Sequence, residues 1–170
     1  MKIQLRAHSD LSIIDGIVEA GDIAKLSSKN GFKACGINDI NNTFGFVKFY
    51  KSCKKVDVKP LIGCELVLHN DANEKYRILV IAKHHAGLNL LFGIITDLFT
   101  KYKQQGQEIY EVSIPEDVLL NKDCPLINNA LIFNGGVFGD IYTFIKNNNY
   151  KDALVKASLW QFYYKGDYYF

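Results

Sequence analysis

Segments with strand character alternate with helical segments along the whole 170-residue chain, and this alternation constrains the fold more than any other feature. Apolar periodicity predicts strands over residues 3–8, 32–37, 60–68, 76–82 and 130–133, with a sixth strand starting at Tyr168. Helices are predicted over residues 17–29, 46–55, 86–102 and 150–164, with shorter ones following Pro115 and Asp140. Such an order predicts an α/β domain with a largely parallel sheet, either open or closed as a barrel.

Composition excludes several classes of protein. With 48% hydrophobic and 22% charged residues, the chain lacks the signature of a disordered segment. A net charge of +2, from 20 basic and 18 acidic residues, gives no support for non-specific nucleic-acid binding by this segment. No apolar run is long enough to predict a membrane span or a signal peptide. The four cysteines are scattered, which is typical of reduced thiols, and we expect a cytoplasmic protein.

Ionisable residues stand near the ends of the predicted strands, where α/β folds build their sites. They are Arg6, His8, Asp15, Asp39, Glu65 and Arg77. Each has a simple structural alternative: a core histidine, an Asp-Gly turn, or a charge at an exposed strand edge. Together, however, four strands contribute charge to one end of one sheet. Because a buried charge is costly unless it is paired, the set predicts either a metal site or a network of internal ion pairs.

Three stretches of the sequence, residues 5–16, 37–50 and 59–65, resemble one family in order and spacing, and residues 79–91 and 134–136 continue the match. The family is the PHP (polymerase and histidinol phosphatase) domain found at the N-terminus of bacterial replicative DNA polymerase III alpha subunits. The resemblance implies a partial distorted (β/α)₇ barrel. It also implies that metal-binding members hold divalent cations through His, Asp, Glu and Cys side chains.

Only part of that ligand set is present. The resemblance places retained ligands at His8, Asp15 and Glu65, and lost ligands at Arg6, Ile40, Arg77 and Gly136. It is closest to the proteobacterial branch, in which the domain looks catalytically degenerate, so no metal is expected here. Physical reasoning agrees, since arginine stays protonated and repels a cation. We hypothesise that Arg6 and Arg77 pair with Asp15, Asp39 and Glu65 in place of the metals.

The resemblance implies that residues 1–170 are an incomplete PHP domain, cut inside the barrel, whose unpaired strand edges would make it marginally stable alone. The full-length chain would be a DNA-directed DNA polymerase, a nucleotidyltransferase using Mg²⁺ at a site outside these residues. The segment itself would be non-catalytic and cofactor-free. It would dock the proofreading exonuclease within the replicase, while DNA binds elsewhere. The alternatives are an active metal-dependent phosphoesterase or nuclease, and an unrelated α/β domain with accidental matches.

Overall fold

A computed structural model describes residues 2–170, which form one curled seven-stranded sheet with five α-helices packed against it. The strands are β1 (Lys2–Gln4), β2 (Phe32–Ile37), β3 (Lys59–His69), β4 (Lys75–Ala82), β5 (Ile114–Pro115), β6 (Ala130–Asn134) and β7 (Tyr168–Tyr169). The α-helices are α1 (Ala20–Lys29), α2 (Phe46–Lys55), α3 (His85–Asp97), α4 (Asp140–Lys146) and α5 (Tyr150–Tyr164). This confirms the predicted α/β class and a partial barrel.

Strand direction departs from the prediction at one strand. The order is β1-β2-β3-β4-β6-β7, with β5 paired to β3, and β4 runs antiparallel to both of its neighbours. The other pairings within residues 2–170 are parallel. The connection between β3 and β4 is a short polar turn over residues 70–74. Parallel neighbours need a crossover of a dozen or more residues, so this turn makes the pair a hairpin.

The reversal of β4 decides which end of that strand reaches the site. Val67 on β3 is the cross-strand partner of Arg77 near the start of β4. Cross-strand partners share a face of the sheet, and so do residues two apart on a strand, which places Glu65 on the face of Arg77. The start of β4 therefore meets the carboxyl end of β3, and Arg77 is brought to Glu65.

Strand β1 is shorter than predicted and ends at Gln4, yet the chain beyond it stays aligned with β2. The backbone N–H of Asn38 donates to the carbonyl of Ala7 at 2.9 Å, and the N–H of Ala7 donates to Asn38 Oδ1 at 3.2 Å. This side chain continues the ladder where regular pairing has stopped. It fixes the backbone on either side of Ala7, from which Arg6 and His8 project.

Two apolar clusters hold the layers together. One packs α1 and α2 against β2 and includes the fully buried Cys35 and Phe49. The other packs α3 and α5 against the hairpin and β6, with the fully buried Leu66, Ile78 and Trp160. Within the described part of the chain, no helix combines the length and the apolar character that crossing a bilayer requires.

Several predicted boundaries change. Helix α1 begins at Ala20, and Ile17 is left 94% exposed. The predicted long helix over 86–102 is α-helical only as far as Asp97, and Leu98–Tyr102 continue as a π-helix. Pro115 ends the short strand β5 and is followed by a single 3₁₀ turn. The core packing against α3 is unaffected, because Leu91 and Leu98 still face the same cluster.

Candidate functional site

Glu65, in the carboxyl-terminal half of β3, lies at the centre of a charged cluster and is fully buried. Arg6 Nη2 lies 2.5 Å from Glu65 Oε1. His8 Nε2 and Arg77 Nη1 lie 3.0 Å and 3.4 Å from Glu65 Oε2. A carboxylate removed from water is costly unless cations and donors surround it. Here three side chains from two segments far apart in sequence supply that environment.

Asp15 is the second acidic member of the cluster and lies in the loop after β1. Its Oδ1 is 2.8 Å from His8 Nδ1, and its Oδ2 accepts a hydrogen bond from Arg77 Nη1 at 3.1 Å. Partial burial works to raise the pKa of Asp15. The charge of His8 and hydrogen bonds from Ser12, Arg77 and His8 outweigh it, so the pKa lies below its usual value.

His8 bridges the two carboxylates, with one ring nitrogen against each, and only 11% of its side chain is exposed. Burial works to lower the pKa of His8, and Arg6 also opposes its protonation. The contacts with Glu65 and Asp15 prevail, and the pKa of His8 is raised. With His8 neutral, two arginines balance two carboxylates; with His8 protonated, the cluster carries one excess positive charge.

Arg77 is held on its other side by an aromatic ring. Its guanidinium carbon lies 4.5 Å from the centroid of the Phe138 ring, in the short 3₁₀ turn that follows β6. That turn approaches β4 closely, since a Cβ at Gly135 would lie 2.1 Å from the carbonyl oxygen of Arg77. The Gly-Gly pair after β6 therefore permits the approach that places Phe138 over Arg77. The sequence analysis did not single out Phe138, an apolar residue with no charge.

Asp39 corrects one part of the predicted network. Among residues 2–170, no arginine lies within ion-pair distance of its carboxylate. Instead, the N–H of Ser9 donates to Asp39 Oδ1 at 2.6 Å, and Ser9 Oγ donates to Oδ2 at 2.7 Å. Asp39 is buried, and burial raises its pKa despite the bonds from Ser9. Its role is to fix the backbone next to His8, and Ser9 is a residue that the sequence analysis did not single out.

The other two departures from the metal-binding pattern lie around the same cluster. Ile40 is almost completely buried and forms a parallel bridge with Glu65. An apolar side chain thus stands beside the central carboxylate, where the resemblance implies a histidine. Gly136 begins the 3₁₀ turn that carries Phe138, and its φ of +61° is a conformation that residues with a side chain rarely adopt. The remaining histidines lie outside the cluster, as His84 caps α3 by accepting from the Gly87 N–H.

The cluster has the composition of a small metal site, because one potential ligand atom each from His8, Asp15 and Glu65 lies within 4.8 Å of the others. The carboxylates of Asp15 and Glu65 are nevertheless paired with Arg6 and Arg77. A divalent cation would have to share these carboxylates with two permanent positive charges. At an effective dielectric constant of about 20, unit charges about 4 Å apart repel by about 4 kcal/mol, and a divalent ion doubles this. The residues as arranged do not fit such a metal.

A cavity of about 390 Å³ opens beside the cluster and is lined by Arg6, His8, Asp15 and the exposed Ile17. Arg6 keeps 39% of its side chain exposed, whereas Arg77 is only 16% exposed. The arrangement is a neutralised set of internal ion pairs, open to solvent on the side of Arg6.

Comparison with known proteins gives a family match over residues 4–170, to the PHP domain. Relatives include DNA polymerase III subunit alpha of Neisseria meningitidis serogroup B, 31% identical over 160 residues, or 92% of this chain and 13% of that protein. The Escherichia coli K12 protein of the same name is 30% identical over 141 residues, covering 82% of this chain and 12% of its own length. The chain thus spans about an eighth of the length of these relatives.

Among solved structures, one described as a metal-dependent phosphoesterase from Bifidobacterium adolescentis aligns with a TM-score of 0.46 and 14% identity. It covers 56% of this chain and 32% of its own. The family match covers almost every residue, and the accidental-match alternative is excluded: the chain belongs to the PHP domain family.

Proposed function

We propose that this chain is the N-terminal PHP region of a replicative DNA polymerase III alpha subunit. The names of its relatives support the proposal, as does the match to each over most of this chain. The full-length protein would then be a cytoplasmic nucleotidyltransferase that carries out DNA-directed DNA synthesis. Its Mg²⁺-dependent polymerase site and its main DNA contacts would lie outside residues 1–170.

Within that protein, the PHP region acts as a structural, non-catalytic domain. The observation that carries this proposal is the pairing of Arg77 with both Asp15 and Glu65, together with the contact of Arg6 with Glu65. A metal-dependent hydrolytic centre needs carboxylate ligands to hold its cation, and these guanidiniums take up the carboxylates that would serve as ligands. Arginine cannot be deprotonated to release them at any relevant pH.

The test compares the full-length protein with its Arg6→His/Arg77→His variant. After dialysis against Zn²⁺ or Mn²⁺ and removal of loosely bound ions, the unaltered protein should retain no stoichiometric metal at this site. The variant supplies two histidines beside the retained ligands and should retain more. Arg6→Lys/Arg77→Lys is the matched control, because it keeps the charge and supplies no neutral ligand. Stoichiometric metal in the unaltered protein, lost together with phosphatase activity on chelation, would overturn the proposal.

A second candidate function is an active metal-dependent phosphoesterase or nuclease. The proximity of His8, Asp15 and Glu65 favours it, since their ligand atoms lie within 4.8 Å of one another. Residues elsewhere in a longer chain would have to complete the ligand set and displace the arginines. The metal analysis above separates the two functions.

We also propose that this domain supports the polymerase core and docks the separate proofreading 3′–5′ exonuclease subunit within the replicase. The near-neutral charge of the segment suits a protein-binding role better than a DNA channel. The test is a binding measurement between the exonuclease subunit and the full-length protein, with and without residues 1–170. Unchanged affinity after deletion, in a protein that still polymerises DNA, would contradict the docking role.

A further inference from the structure

A second cavity, of about 450 Å³, lies at the turn that joins β3 to β4. It shares no lining residue with the charged cluster. Three lysines line it: Lys75 at the start of β4, Lys101 in the π-helix and Lys103 just after it. Among residues 2–170, no carboxylate side chain lines this cavity. In a chain with nearly equal numbers of acidic and basic residues, this is a marked local separation of charge.

Acidic residues near the cavity in sequence have other partners. Glu111 Oε2 accepts from the backbone N–H of Glu108 at 3.0 Å, closing a capping box. Glu74 Oε2 accepts from Asn70 Nδ2 at 2.8 Å. Asp97 pairs with Lys101 at 2.8 Å, but both side chains are about half exposed or more, and an exposed pair within one helix is weak. Lys75 Nζ donates to the backbone carbonyl of Glu111 at 2.7 Å, and Lys103 Nζ lies 5.9 Å from the centroid of the Phe99 ring. Neither contact neutralises the lysine, so the cavity keeps a positive charge that a ligand can meet.

The walls are built from fixed backbone. Asn41 is fully buried, and its Nδ2 donates to the carbonyls of Ile109 and Val112 at 2.9 and 2.8 Å. Its Oδ1 accepts from the N–H of Val67 on β3 at 3.0 Å. One side chain thus ties the segment before β5 to the hairpin.

Uncharged polar groups complete the lining. His69 Nδ1 lies 3.0 Å from Ser113 Oγ, and both residues line the cavity. Gln104 and Gln107 are joined by a turn in which the Gln104 N–H donates to Gln107 Oε1 at 3.0 Å. Tyr102 adds an aromatic side chain of the kind on which nucleobases stack. The π-helix that carries Lys101 and Tyr102 is a rare conformation found frequently at functional sites.

From this lining we propose that the cavity binds a phosphate-bearing ligand of the nucleotide class, its phosphate oxygens contacting the lysines. Lysine binds phosphate as a point charge, and a concave site lined by one sign of charge concentrates anions. The cavity is larger than one phosphate needs and is within the size range of small-molecule sites. A free nucleotide and a single strand of DNA present the same chemistry, and the experiment distinguishes them.

The experiment is an acylation footprint of lysines on the full-length protein, resolved by peptide mass spectrometry. The acylation rates of Lys75, Lys101 and Lys103 are compared with those of Lys51 and Lys55, exposed lysines on α2 that serve as internal controls. The probes, used at low salt, are inorganic phosphate, thymidine monophosphate and an oligothymidylate. We expect a several-fold slowing at the cavity lysines, none on α2, and loss of this protection at high salt.

Protection by the oligonucleotide alone supports the proposal with a DNA strand as the source. Protection by the mononucleotide or phosphate supports it with a free ligand. In either case, Gln substitution of Lys101 and Lys103 together should weaken protection at Lys75 several-fold, whereas Gln substitution of Lys51 and Lys55 should not. No protection with any probe, or equal protection on α2, overturns the proposal. Loss of exonuclease docking would not affect this readout, so the two proposals fail independently.

Discussion

Arg77 Nη1 lies 3.1 Å from Asp15 Oδ2, which joins the first loop of the chain to the start of β4 across 62 residues of sequence. The same nitrogen lies 3.4 Å from Glu65 Oε2. One guanidinium therefore pairs with both carboxylates among the three side chains that could offer ligand atoms to a metal ion. The loop carrying Asp15 is held to the sheet through this contact and through His8.

The first prediction concerns the coupling between these two residues. In a double-mutant cycle of Arg77→Met and Asp15→Asn, we expect a coupling free energy of about 1 kcal/mol, since the pair is partly exposed and belongs to a network. The readout is hydrogen exchange in the full-length protein at the Asp10 amide, which donates to the Val18 carbonyl at 2.8 Å within this loop. Lys25→Met and Asp22→Asn, a fully surface pair on α1, form the control cycle and should couple more weakly.

Additive effects of Arg77→Met and Asp15→Asn would show that the contact does not hold the loop. A cycle that couples as weakly as the α1 control would lead to the same conclusion.

The sequence was enough to predict the class of fold and most of the charged cluster, because both depend on local periodicity and on the cost of buried charge. The lone Glu65 within an apolar strand indicated a buried carboxylate that needs partners. The prediction of a largely parallel sheet was wrong for β4, because the connection between β3 and β4 is too short for a parallel crossover. That reversal is what carries Arg77 to Glu65.

The remaining features depend on tertiary contacts with no periodic signal. Asp39 follows β2 just as a site residue would, and only the fold shows that Ser9 takes both of its oxygens. Phe138 acts through the face of its aromatic ring, and Asn41 acts through its side-chain amide. Residues of these two types usually have structural roles, so the sequence gives no reason to select them. The second cavity brings Lys75 of the β3–β4 hairpin together with Lys101 in the π-helix and Lys103 just after it, and no local sequence pattern links residues so far apart.

The second prediction is a pH dependence set by His8. Its pKa is raised in the folded state, so the stabilisation it gives is complete below about pH 6.5, its unfolded value, and is lost as pH rises through the folded pKa. After correction for intrinsic exchange, the opening free energy at Asp10 should therefore fall as pH increases above about 6.5. His8→Gln should flatten this profile, and His85→Gln, at an exposed position on α3, should leave it in place.

An unchanged pH profile in His8→Gln would contradict this assignment. The lowered pKa of Asp15 predicts the opposite limb: its contribution is present above about pH 4 and is lost as pH falls below that value.

The third prediction concerns the aromatic ring over Arg77. Phe138→Leu keeps an apolar side chain and removes the cation–π contact, whose centroid distance is 4.5 Å. We expect a loss of about 0.5–1 kcal/mol in the opening free energy of the loop that carries Asp15, because Arg77 becomes less confined. Val137→Ala, a change at an exposed neighbour in the same turn, should have a much smaller effect. Equal losses in the two variants would mean that the turn, and not the ring, holds Arg77.

The fourth prediction tests the close approach of the turn to β4. A Cβ at Gly135 would lie 2.1 Å from the carbonyl oxygen of Arg77 and 2.8 Å from its carbonyl carbon. Because both atoms are backbone, no side-chain rotation relieves the clash, and Gly135→Ala should destabilise the pairing of β4 with β6 by about 2 kcal/mol or more.

Gly93→Ala is the matched control: Gly93 lies on the exposed side of α3, and a Cβ there meets nothing within 4 Å. That change should instead stabilise α3 by up to about 1 kcal/mol, since alanine favours a helix over glycine. Hydrogen exchange at the β6 amides that face β4 follows the first variant, and exchange within α3 follows the second. If Gly135→Ala left the protection of β6 unchanged, the turn would not be packed against Arg77 as described, and the placement of Phe138 over the guanidinium would need another cause.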